Sequence, residues 1–197
     1  MPAPFEVIAG AAEVYVAEVG TPFPEIDAAP GVGWTLVGTG GSERYSEAGV
    51  RVSRALTQTD INALGTTTPI KNVITATGFT IEVDVMDATL EQLALAFGAD
   101  PDGIETTAAG AGVAGVKRFD IPTDPVPFQR AVLVRVNQSP YIEGGNLQFE
   151  LFAANQIGNA AGAFTKGDAF QVTHIWSAVK TAEGFVSVAA QTAQPTS

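Results

Sequence analysis

Residues 79–86 read FTIEVDVM and run without a break into residues 87–98, DATLEQLALAFG. In the first stretch Phe79, Ile81, Val83 and Val85 alternate with Thr80, Glu82 and Asp84. A period of two puts each set on its own side of a strand, so this is a half-buried antiparallel strand with an acidic outer face. In the second stretch Leu90, Leu93, Ala94 and Phe97 follow i, i+3, i+4, i+7 spacing, the apolar stripe of a helix. Asp87 is placed to cap its start, Glu91 falls in its first turn, and Gly98 supplies its stop. A strand feeding directly into one amphipathic helix predicts a sheet with a helix packed on one side.

Upstream, residues 49–56 (GVRVSRAL) open with the same alternation, Val50 and Val52 against Arg51 and Ser53. Between the two strand patterns lies a polar, Thr-rich stretch, residues 57–77, broken by Gly65 and Pro69. It reads as a loop, long enough to be functional in its own right. Further out, residues 13–19 (EVYVAEV) and 34–38 (WTLVG) are strands separated by a Pro- and Gly-rich loop. Residues 128–136 (FQRAVLVRV) are apolar on both faces and predict a central strand. Strands at 115–121, 147–153, 170–179 and 185–189 bring the total to about nine. Residues 1–12 read as an arm, 13–190 as one domain and 191–197 as a polar tail.

Composition narrows the function. The chain has 197 residues, of which 46% are hydrophobic and only 16% charged, against about 25% charged in typical domains. Ten basic residues face 21 acidic ones, a formal −11, and no Lys or Arg precedes Arg44. That excludes the basic footprint of a sequence-reading DNA binder and disfavours anionic membrane surfaces. The absence of cysteine removes disulfides, thiolate metal sites and a Cys nucleophile, and His174 is the one histidine. No basic, apolar leader opens the chain, and no apolar run approaches a membrane span.

Motifs that could carry chemistry dissolve in context. Residues 110–115 match G-x-G-x-x-G by letter, but no strand precedes them and a strand, not a helix, follows. Asp100 and Asp102 resemble the start of a calcium loop, yet Ala111 stands where its closing Glu belongs. His174 sits in a strand pattern and reads as a hydrogen-bonded strand residue. Glu82 and Asp84 share a face as a solvated pair more naturally than as two glycosidase carboxylates. Trp34 and Trp176 read as packing residues. No enzyme emerges, and neither a cofactor nor a metal is implied.

The order of features across residues 49–98 resembles the tail tube proteins, or major tail proteins, of long-tailed, non-contractile (siphovirus-type) bacteriophages. The pieces that carry the resemblance are GVRVSRAL, the polar loop containing TTTPIK, GFTIEVDVM and the helix ATLEQLALAFG. EVYVAEVGTPFP and WTLVG resemble the family's opening, and AVLVRV, LQFELF and FQVTHIWSAVK fit less specifically. The resemblance implies an antiparallel β-sandwich or open barrel with one flanking helix. It implies a hexameric ring with a continuous inner β-barrel, stacked into a tube through which double-stranded DNA passes without specific binding. Partners implied are further copies of the chain, a tape-measure protein, and terminator and distal tail proteins. The place implied is the virion tail, after synthesis in the bacterial host cytoplasm.

On this reading Arg51, Ser53, Thr80, Glu82 and Asp84 line the channel. Gln58, Asp60, Asn62, Thr66, Thr67 and Lys71 belong to a loop that stacks rings, and Leu90, Leu93, Ala94 and Phe97 pack the flanking helix. The tube protein of a contractile secretion system, which shares the fold, is the alternative in the same mechanical class. A virion- or cell-surface β-sandwich binding module is the alternative in another; ring formation separates it from a tube protein.

Overall fold

The computed structural model describes residues 8–62, 64, 68–121, 123, 128–157, 166–167 and 169–194. Its main element is one antiparallel sheet in the order β2-β1-β7-β8-β9-β4-β3, with β10 paired to β8. The strands are β1 (Ala12–Glu18), β2 (Thr35–Leu36), β3 (Tyr45–Asn62), β4 (Pro69–Val85), β7 (Gln129–Val136), β8 (Leu147–Gln156), β9 (Val172–Ala178) and β10 (Val186–Ala190). A separate exposed hairpin is made by β5 (Glu105–Thr107) and β6 (Val116–Arg118). One helix, α1 (Leu90–Ala96), follows β4.

The expected sandwich is therefore a single folded-over sheet, open in the monomer. Its hinge is β8. The first half of β8 pairs with β10, and its last residues, Ala154–Gln156, pair with β9 instead. Strands four positions apart in the sheet thereby share one core: Val14 and Val16 of β1 lie with Ile81, Val83 and Val85 of β4, and with Val132, Leu151 and Trp176. At the seam no ladder closes the barrel. Tyr45 spans it, its hydroxyl accepting from Val14 N (3.1 Å) and donating to the Val37 carbonyl (2.9 Å). Burial raises the Tyr45 phenol to about 12, so this bridge stays protonated across the physiological range.

β7 is the central strand its sequence predicts, buried along most of its length. Val132 and Val134 face the main core. Its other face, with Ala131, Leu133 and Arg135, is covered by the Pro-rich segment between β1 and β2, which folds back as a strap. Arg135 holds that strap: at 5% exposure its guanidinium donates to the carbonyls of Glu25 (3.0 Å) and Ala28, and to Gln148 Oε1. Gln148 and Asn146 donate to the Pro24 and Ile26 carbonyls, and Phe23 packs on Trp34 and Phe152. Changing Arg135→Met keeps the stem but leaves the buried Gln148 Oε1 and the part-buried carbonyls of Glu25 and Ala28 short of a donor, at about 1–3 kcal/mol for the buried acceptor. The expected result is a loss of about 2 kcal/mol in denaturant unfolding, with limited proteolysis newly cutting between residues 21 and 34. Parental stability in that variant would show the strap to be held by something else.

Two readings are corrected here. Residues 57–77 are not a long loop: β3 continues to Asn62 and β4 starts at Pro69, paired through Ile61↔Lys71, so most of the stretch is hairpin. Gln191 does not begin a free tail, since it is 7% exposed, bonds Asn146, and accepts from the buried Ser139 hydroxyl. Of the arm, residues 1–7 lie outside the described residues, and Ala9 N bonds Gln138 Oε1 at 2.8 Å.

Candidate functional site

Three surfaces contain the residues that the sequence singles out. The first is the polar face of β3, β4 and β9. Residues opposite one another on antiparallel strands point to the same side, and the register sets Arg51 beside Glu82 beside Ile175, and Ser53 beside Thr80 beside Ser177. The second row continues through Asn155 of β8. Asp84 stands opposite Thr173, whose hydroxyl bonds its carboxylate. The same strands turn Ile81, Val83 and Val85, each fully buried, to the core. The five residues expected on one polar face are therefore brought together, but the face is less acidic than its sequence suggests. Arg51 pairs with Glu82 at 3.2 Å, with side chains 62% and 34% exposed, so the pair is a screened surface contact of small energy. Thr173, Ser177 and Asn155 complete the face and were missed; the alternation within residues 172–178 is the signal that points to the first two.

The second surface is the outer half of the β3–β4 hairpin. From Ser53 to Thr77 every described residue of both strands is exposed. Gln58, Asp60, Asn62 and Lys71 lie here; Thr66 and Thr67 lie outside the described residues. What the polar reading overlooked is the apolar content. Leu56, Ile61, Leu64, Ile70, Val73 and Ile74 are all exposed, from 38% to 107%. A bulge between Thr57 and Gln58 shifts the register. Beyond it Ile74 lies opposite Gln58 and Val73 opposite Thr59, so apolar side chains occupy both sides of the hairpin.

The third surface surrounds α1. The helix is seven residues long, and its N-cap is Thr89 rather than Asp87. Asp87 instead forms a staple: one carboxylate oxygen accepts from Thr89 N (3.0 Å), and the other from the Thr39 amide and hydroxyl. Burial pushes this carboxyl up, but those hydrogen bonds outweigh it and hold it below the ordinary value. Gly98 ends the helix as predicted, at φ 70°, with Ala99 N bonding the Ala94 carbonyl and Gly98 N the Leu95 carbonyl. The buried face is turned from the expected stripe. Ala94 is buried as expected, but Leu95 enters the core, Leu90 and Leu93 are half-buried, and Phe97 is 38% exposed. A cleft of about 290 Å³ opens between α1, the end of β1, β2 and the 3-10 turn at Pro101–Gly103. Asp100 pairs with Arg130 at 3.2 Å in that region, and residues 110–115 form the tip beyond β5.

His174 does not have the hydrogen-bond partner expected of it. It is fully buried, stacked on Trp176 at 5.3 Å, and neither ring nitrogen has a partner among the described residues. Burial lowers its pKa to about 4, the nearby Asp84 charge opposing the shift. Because the folded value lies below the unfolded one near 6.5, the neutral ring's contribution is complete above about pH 6.5. It is lost as pH falls toward 4, by about 3 kcal/mol in all. Denaturant unfolding across that range should show the slope, and His174→Phe should flatten it; an unchanged slope would locate the acid sensitivity elsewhere.

A family model described as "Phage tail tube protein" matches residues 5–155. No curated protein matches the chain. Among solved structures, a chain in the cryo-EM structure of the anti-feeding prophage (AFP) baseplate, 6-fold symmetrised, is similar at 14% identity, with 97% of each chain covered and a TM-score of 0.41.

Proposed function

The chain belongs to the phage tail tube protein family, a structural component of the virion tail, and from that premise we propose that it forms the tube of a long, non-contractile tail. Six copies close into a ring, rings stack, and the polar face of β3, β4 and β9 lines the channel for the genome. The observation that carries this reading is the β3–β4 hairpin. Its inner half builds the core of one subunit, while its outer half extends past that core with apolar residues on both sides. Such an apolar segment marks a surface that other chains cover. A second feature supports ring closure: β3, 18 residues long, is the outermost strand of the sheet, with β4 as its one partner among the described residues. Long unpaired edges template pairing with another chain, and a head-to-tail contact closes into a ring when its rotation permits.

The channel face fits duplex transport. Its hydroxyl rows and its paired Arg51–Glu82 give phosphates little to hold, and a wall that must let DNA slide should release no counterions on contact. The tape-measure protein, terminator and distal tail proteins are the further partners in this reading. Light scattering and negative-stain microscopy over a wide concentration range test it, with six-fold rings or hollow tubes expected. Monomers at every concentration, and no tube containing this chain in purified particles, would sink it.

A further inference from the structure

The subunit carries a complementary pair of surfaces at its two ends. All neighbouring strands are antiparallel, so β1 and β4 run the same way through the sheet. The hairpin tip sits at the start of β4; α1 and the end of β1 sit at the opposite end. Seventeen residues of β4 separate them, roughly 55 Å of extended chain. The outer half of the hairpin is cationic in an anionic protein: residues 53–77 hold Arg54 and Lys71 against Asp60, a net +1, and the rest of the chain carries −12.

The cleft at the other end has the opposite character. Val16, Leu36 and Leu95 give it apolar walls, and Glu18, Glu91 and Asp102 stand around them. Glu91 is held by Lys117 at 2.6 Å and Arg130 by Asp100, while Glu18 and Asp102 have no ion-pair partner among the described residues. The cleft thus offers apolar walls and two carboxylates without an ion-pair partner among the described residues. The tip offers Ile61, Leu64 and Ile70 with Lys71, which stands opposite Ile61.

We infer that this cleft is the socket for the hairpin tip of a second copy of the chain. The contact is head to tail, so it repeats without closing, which is what an open-ended tube needs along its axis. The inference rests on the proposed stacking function and adds where the hairpin lands. The cysteine-free chain allows a direct test. Leu64→Cys and Asp102→Cys variants, mixed and polymerised under mild oxidant, should form a disulfide dimer between two copies, and neither variant alone should do so. Glu18→Lys with Asp102→Lys should raise the concentration needed for polymerisation at least tenfold, and adding Lys71→Glu should recover part of it at low salt. The three positions are exposed, and circular dichroism checks that each variant is folded. Normal polymers without the Leu64→Cys–Asp102→Cys dimer overturn the socket and leave stacking intact, whatever the charge reversals do. An unmodified chain that never polymerises overturns both.

Discussion

Replacing residues 58–75 with Asn-Gly should leave a folded subunit that cannot elongate into a tube. Thr57 and Ala76 are register partners, so a two-residue turn of this type can close the shortened hairpin. The described residues of the removed stretch are all exposed, so the subunit's unfolding midpoint should move by only a few degrees. It does carry Ile61, Leu64, Ile70, Val73 and Ile74. Fully burying one such side chain is worth about 1.5–3 kcal/mol, so even half of that for five exceeds roughly 4 kcal/mol per contact. That corresponds to about a thousandfold rise in the concentration needed to polymerise. Sedimentation of polymer against total protein measures it. Tubes of parental length at parental concentration would remove the hairpin from the assembly.

The second large effect concerns passage of DNA. Glu82→Lys with Asp84→Lys takes the subunit from −11 to −7 and turns the face of β4 cationic beside Arg51. Both residues are partly exposed, and the pairing lost with Arg51 is a surface one, so folding and assembly should survive. Lysines repeated along a channel would hold phosphates, most strongly at low salt because counterions are then released. Particles should look normal yet eject DNA slowly or incompletely, recovering as salt rises. The structure adds a control: Arg51→Gln should slightly ease ejection at low salt by removing a cation from the face. Parental rates at all salt concentrations would place this face away from the DNA path. A subunit that fails to fold would instead put the two acids in a contact that the isolated chain does not reveal.

Local pattern carried the reading furthest where one face of an element meets the core. The alternation in residues 79–85 appears in the fold as Ile81, Val83 and Val85 fully buried against half-exposed Thr80, Glu82 and Asp84. Gly98 stops the helix through the left-handed backbone that glycine alone adopts at little cost. The same logic explains where reading stopped. Residues 57–62 and 69–77 are strand without a core on either side, so no selection for alternation marks them. Backbone hydrogen bonds pair these strands whatever their side chains, and exposed Thr, Asn and Ile then look like loop.

What the sequence by itself determined is a mainly antiparallel β protein with one helix after its clearest strand, acidic and cysteine-free. Those properties depend on composition and on neighbours two to four positions apart. The tertiary structure decided the rest. It chose which side of α1 faces inward, because Asp87 is tied to Thr39, 48 residues earlier. It laid the strap over the second face of β7 through Arg135, more than 100 residues from the carbonyls it holds. It left the His174 ring nitrogens without a hydrogen-bond partner among the described residues, and it placed the hairpin tip and the cleft beside α1 at opposite ends of β4. Each of these is a contact between residues distant in the chain, whose formation depends on how the sheet folds over at β8, and no short-range period records that.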